Sequence, residues 1–209
     1  MGSDDLFKKG KLRARRALQR KKELRFGREN ILIVCEGETE KIYFEAFPLK
    51  SANLKTISTG SNTKTLIQRA KRESEDAIKR DESYDQVWCV FDRDSFSKEQ
   101  FNTAIQMAQS SGFQVAWSNE AFELWYVLHF EYLNAGITRD QYCQKLDTLI
   151  GRKYEKTYPY MYNEMLPGQN TAIQNAEKLL RTYHDNTQPA DCNPSTKVHL
   201  LVQELKKYL

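Results

Sequence analysis

Two short runs, Ile31 to Cys35 (ILIVC) and Val87 to Phe91 (VWCVF), constrain this chain more than anything else in it. Neither run contains a polar residue at alternate positions. A strand with one wet face alternates apolar and polar residues, whereas an unbroken β-branched or aromatic run reads as a strand covered on both faces. Phe113 to Trp117 reads as a third strand. Helical spacing lies between them. One helix spans Glu38 to Phe47 and is stopped by Pro48, and another spans Thr63 to about Lys79. A third runs from Ser97, whose S-x-x-Q spacing to Gln100 is a capping box, to about Ser110 before Gly112. A short polar strand fits over Lys55 to Ser58. Buried strands alternating with helices predict an α/β fold, with a mostly parallel sheet and right-handed crossovers.

Beyond Trp117 the strand signals stop. Ala121 to Phe130 is apolar at helical spacing, and Thr138 with Gln141 forms another capping box, opening a helix to Ile150. A loop rich in Tyr, Lys and Pro covers Gly151 to Gln169, and helices over about Thr171–Tyr183 and Thr196–Tyr208 follow. The division expected is a basic arm over 1–29, an α/β core over 30–134 and a helical part over 135–209 packed on that core. No run approaches the roughly 18 apolar residues of a membrane helix, and no apolar segment follows the basic N-terminal residues as in a secretory signal. A cytoplasmic protein without membrane contact is therefore expected. Cys35, Cys89, Cys143 and Cys192 are far apart and form no C-x-x-C pair, which suggests neither zinc nor disulfides. Cys35 and Cys89 sit in apolar runs, as core thiols do.

Charge is unevenly placed. Lys8 to Arg28 holds eleven Lys or Arg against the single acid Glu23, about +10, while the whole chain is +4. The remainder is therefore acidic. A basic arm on an acidic body is expected of a chain that touches nucleic acid, with Arg13, Arg15 and Arg16 as candidate phosphate contacts. A solvated, solubilising tail would look the same.

The acids are placed to more purpose. Glu36 follows the first buried strand directly and precedes Gly37, and Asp92 and Asp94 follow the second. The carboxyl edge of a parallel sheet is where α/β proteins carry their sites. If the two strands are close, three carboxylates meet in one crevice, which suits a hard cation between them. Magnesium or manganese fits an oxygen-only set, and the lack of nearby Cys or His argues against zinc. An Asp after a strand is also an ordinary turn former. Glu36, between an apolar run and a glycine, is harder to explain that way.

Other residues carry weaker signals. Glu123 stands among apolar residues in Phe122–Leu124, so its carboxylate needs a cationic partner or the acidic site; a catalytic place is expected for it. His129 reads as a core histidine or a functional one, and Ser118 and Asn119 could line the same crevice edge. Thr59 to Lys64 (TGSNTK) puts Gly, hydroxyls and Lys64 before a helix, which can hold a phosphate or simply be a capped turn. Lys153 and Lys156 interleave with tyrosines in GRKYEKTYPYMY, which fits either phosphate and base contacts or a protein interface.

ILIVCEGETE followed by VWCVFDRD resembles the Toprim domain of topoisomerases, primases and overcoming-lysogenization-defect nucleases. The wider pattern resembles the RloB family of bacterial defence-associated proteins. That likeness continues through SNEAFELWYVLHF (Ser118 to Phe130) and NPSTKVHLLVQEL (Asn193 to Leu205), with FELW-x-x-x-HF its most specific part. Glu120 departs from it, standing where the family more often has proline. The resemblance implies that Glu36 is an acid/base group or metal ligand and that Asp92 and Asp94 are metal ligands. Glu40, matching the second acid of E-G-x-x-E, becomes a second metal position; an exposed first-turn acid is its plainer reading. The function implied is a magnesium-dependent nuclease on DNA or RNA, transfer RNA included. The setting implied is anti-phage or restriction-linked defence, with an ATPase or restriction subunit as partner and oligomerisation left open. The alternative is a non-catalytic Toprim module that binds nucleic acid or a partner protein.

Overall fold

Every residue from Ile31 to Cys35 is fully buried, and alternate side chains of this strand go to two different cores. Ile31, Ile33 and Cys35 enter one cluster, while Leu32 and Val34 enter the other. The second run divides the same way, with Trp88 and Val90 on one side and Cys89 and Phe91 opposite. This is why neither run alternates in polarity: a sheet between two helical layers has no wet face. The computed structural model describes residues 28–60, 63–93 and 96–209.

The sheet consists of β1 (Glu29–Cys35), β2 (Ala52–Ser58), β3 (Gln86–Asp92), β4 (Gln114–Asn119) and β5 (Ser195–Thr196), in the order β2-β1-β3-β4-β5. The first four are parallel, and β5 is antiparallel to β4. Because the chain moves to one side of β1 to make β2 and to the other to make β3, a topological switch point opens between β1 and β3. Crevices at the carboxyl ends of such strands are the usual ligand sites of open α/β sheets.

One face is covered by α2 (Thr63–Lys79) and α3 (Lys98–Ser110) through Leu66, Ile67 and Ala70 and through Phe101, Ala104 and Ala108. The other face carries α1 (Glu38–Glu45), α4 (Glu123–Val127), α5 (Arg139–Leu149), α6 (Met161–Met165), α7 (Gln169–Leu180) and α8 (Val198–Lys206). Both expected capping boxes form: Ser97 with Gln100 opens α3, and Thr138 with Gln141 opens α5. Cys35 and Cys89 are buried free thiols.

Some expectations need correction. Strands do not stop at Trp117, since β4 runs to Asn119 and the two-residue β5 closes its edge. The apolar stretch from Ala121 to Phe130 shortens to Glu123–Val127, with turns beyond. The expected loop over 151–169 contains α6 and a 3₁₀ turn over Leu166–Gly168, because Met161, Tyr162 and Met165 bury against the first core. Gly168 is required there by space: a Cβ on it would stand 2.5 Å from the backbone oxygen of His129. No helix among the described residues is long and apolar enough to cross a membrane. Residues 1–27 of the basic arm, with Arg13, Arg15 and Arg16, lie outside the described residues, and Glu29 already belongs to β1.

Candidate functional site

The end of β1 is tied to its neighbour one residue past the strand, where the Glu36 N–H donates to the Val90 carbonyl at 2.9 Å. Glu36 thus leaves the sheet at the switch point, next to the strand that ends in Asp92. Gly37 then starts α1, and its lack of a side chain makes room for Glu40: a Cβ there would lie 2.9 Å from Glu40 Oε2. The E-G-x-x-E spacing therefore folds one carboxylate back over a glycine toward the strand ends. Glu40 is only 5% exposed, so it is not a solvated first-turn acid. That role falls to Glu38, at the rim, which is held by Ser58 and Lys41.

Glu36, Glu40, Asp92 and Glu123 line one cleft of about 600 Å³, with Glu38 at its edge and Arg139 and Lys156 as its cations. Five carboxyl groups thus crowd one cleft with two cations. Asp92 is 4% exposed, and its Oδ2 accepts from the Phe122 N–H at 3.0 Å and from Arg139 Nη2 at 2.9 Å. Glu123 is 2% exposed; its Oε1 accepts from the Tyr154 hydroxyl at 3.3 Å, and its Oε2 lies 3.7 Å from Arg139 Nε. Beneath them, Tyr43 packs edge-to-face against Phe122, Tyr126 and Tyr162, fixing α1 against α4.

Crowding of buried anions appears in their titration. Burial pushes the Glu40 carboxyl from 4.5 up to about 7, with Glu123 and Glu36 adding to it. Asp92 is raised well above the ordinary aspartate range, first by burial and then by Glu40, although Arg139 pulls it the other way. Burial and Glu123 likewise raise the Tyr154 hydroxyl, keeping it a donor.

The donor chemistry is oxygen-only, and Glu40 Oε2 and Asp92 Oδ1 are buried without a hydrogen-bond partner among the described residues. Asp92 Oδ1 is the orphaned oxygen that fits a hard cation. Among the described residues, no three acidic, histidine or cysteine side chains form a ready ion cage. Such an ion would draw remaining ligands from water or from a substrate phosphate; Asp94 lies outside the described residues. Magnesium sites are commonly completed that way.

Of the residues singled out from sequence, Glu36, Glu40, Asp92, Glu123 and Lys156 thus share one cleft. Lys64 lines a neighbouring cleft, and Lys153 is exposed on the loop without lining the acidic one. Ser118 and Asn119 do not line it; Ser118 Oγ meets Thr196 Oγ1, and Asn119 Nδ2 donates to the carbonyls of Pro189 and Ala190. The Asn119–Glu120 peptide is cis. His129 is buried, bonded through Nδ1 to the Trp125 carbonyl and packed on the Trp125 ring, with burial lowering its pKa to about 4. That is a structural role. Sequence reading missed Arg139 and Tyr154. Arg139 carried one signal: it is the first residue of α5, where the helix dipole disfavours a cation.

The family model described as RloB-like protein matches residues 31–205, and the chain belongs to that family. No curated protein matches the chain at the sequence level.

Proposed function

We propose that this RloB-like protein is a metal-dependent phosphodiesterase of the Toprim type that hydrolyses DNA or RNA. The observation that carries this reading is the convergence of Glu36, Glu40, Asp92 and Glu123 with Arg139 and Lys156 in one cleft at the carboxyl ends of β1 and β3. Glu36 and Asp92, with Asp94, are the residues that would hold magnesium or manganese. When bound, the ion supplies Lewis-acid stabilisation of the charge that builds on the phosphoryl oxygens.

The chain's own groups have distinct work in this reading. Lys156 Nζ, at the exposed side of the cleft, meets the incoming phosphate backbone. Arg139 orients Asp92 through Nη2 and presents its guanidinium to the cleft, where forked donors suit a phosphate. Glu40, titrating at about 7, suits proton transfer at neutral pH. Its carboxylate takes the proton of the attacking water as the new P–O bond forms; the old P–O ester bond breaks, its oxygen takes a proton from solvent water, and Glu40 returns its own proton to solvent. Tyr154 holds Glu123 from the far side. A role in anti-phage defence, within the cytoplasm and beside an ATPase or restriction subunit, belongs to the same proposal.

The deciding assay presents single- and double-stranded DNA, messenger RNA and transfer RNA to the native chain with Mg²⁺ or Mn²⁺, beside Glu36→Gln and Asp92→Asn. Metal-dependent cuts that vanish in both variants are expected. Binding that survives both substitutions without any cleavage would move the reading to a non-catalytic binding module. The cleft volume of about 600 Å³ also suits a small ligand. A nucleotide or phosphomonoester substrate is thus the second reading, and a nucleotide panel in the same assay separates it.

A further inference from the structure

Beside the acidic cleft lies a second one of about 570 Å³, formed where α2 begins and α3 passes. Thr63, the first residue of the 17-residue α2, lines it and is 3% exposed, yet its hydroxyl has no hydrogen-bond partner among the described residues. Buried hydroxyls are rarely left so, and a ligand oxygen is one way to satisfy them. The start of a long helix adds a positive dipole end. Lys64, exposed on the same cleft, adds a full charge. Glu99 also lines this cleft, but its carboxylate is engaged by its own backbone N–H and by Ser97 at the start of α3.

The two clefts share one lining residue. Phe96, half-buried, lines both. Gly60, in the connection leading to α2, lines the acidic cleft and donates its N–H to the Glu36 carbonyl at 2.9 Å. The helix start that lines the second cleft thus neighbours the carboxylate cleft, with the Phe96 ring lining both.

We infer that Thr63 and Lys64 form a second phosphate site, and that Phe96 is a platform for one base of a single strand crossing from this site into the acidic cleft. The inference rests on the nucleic-acid reading above and narrows it to single-stranded substrate. In a duplex the bases are stacked on one another, whereas a single strand can splay a base onto an aromatic ring between two phosphate contacts.

The test measures fluorescence anisotropy of a labelled, phosphorothioate-linked single strand and its duplex with the full chain in Mg²⁺ over a salt series. Lys64→Gln is expected to weaken single-strand binding and to reduce the slope of log affinity against log salt by about one. Phe96→Leu is expected to weaken it about 5- to 100-fold, with Phe96→Tyr near native and the duplex indifferent to both. Thr63→Val, nearly isosteric, should weaken binding without lowering the thermal midpoint, and Thr63→Ser should not weaken it. If the native chain binds single strands and all these variants bind them equally well, this site is overturned while the acidic-cleft reading stands. If the native chain binds neither strand nor duplex, both readings fall.

Discussion

Replacing Glu40 by glutamine removes one proton-binding group from the floor of the acidic cleft, and the consequence can be worked out in sign and size. In the folded chain, burial holds this carboxyl at about 7, against an ordinary value of 4.5. Between those values the folded state keeps a proton that the unfolded state has lost. Stability therefore falls as pH rises from about 4.5 to about 7, at a rate approaching 1.4 kcal/mol per pH unit. The difference corresponds to about 3 kcal/mol over the window. His129 and His199 act in the opposite sense, because burial lowers both to about 4, so their contribution grows as pH rises toward 6.5. The difference between native and variant removes the histidines and leaves Glu40 together with its effect on Asp92, whose carboxyl it raises. The assay is urea unfolding in EDTA at a series of pH values from 4 to 8.5. Glu40→Gln should gain on the native chain progressively above pH 4.5 and keep a gain of up to about 3 kcal/mol above pH 7. A difference profile flat within about 0.5 kcal/mol across that window would refute the claim that Glu40 is a buried, proton-retaining acid. Adding Mg²⁺ at neutral pH should raise native stability, by about 2.7 kcal/mol at a hundred times its dissociation constant, and should do so less in Asp92→Asn.

Other perturbations test the rest of the architecture. Arg139→Met strands Asp92 and Glu123 without their shared cation, and urea unfolding at pH 7 should show a loss of about 2–3 kcal/mol. In an Asp92→Asn background that loss should shrink, giving a coupling energy of about 0.5–3 kcal/mol in a double-mutant cycle. Additive losses would mean that the 2.9 Å contact contributes little. Gly168→Ala places a Cβ against the His129 backbone oxygen, which cannot rotate away, and should cost about 1–3 kcal/mol by chemical denaturation. Gly37→Ala keeps a permitted backbone conformation but displaces the Glu40 carboxylate, so it should abolish metal-dependent cleavage while the thermal midpoint moves by only a few degrees.

The parts of the fold that were readable are those written in neighbouring residues. ILIVC and VWCVF announce strands buried on both sides because every side chain in them is apolar, whichever face it takes. Ser97 with Gln100 and Thr138 with Gln141 announce helix starts because the capping bond spans only three residues. Glu123 was legible as a misfit, a carboxylate amid apolar residues that had to find a partner. What it found could not be read, because Tyr154 is 31 residues away and reaches it from a segment that reads as loop. The short β5 was invisible for a similar reason: two residues carry no period, and they become a strand only because the edge of β4 is there to pair with them.

Sequence alone determined that this chain is α/β, that its main strands have no wet face, and that Glu36 and Asp92 stand at strand ends. Those are consequences of local periodicity and of short-range capping. Only the tertiary structure decided that β1 and β3 are neighbours, that Glu40 is buried over Gly37 rather than solvated, and that Arg139, 47 residues from Asp92, supplies its countercharge. Burial and charge pairing depend on what packs against a residue from elsewhere in the chain. The dielectric around a carboxylate is a property of the assembled core and not of its neighbours in sequence.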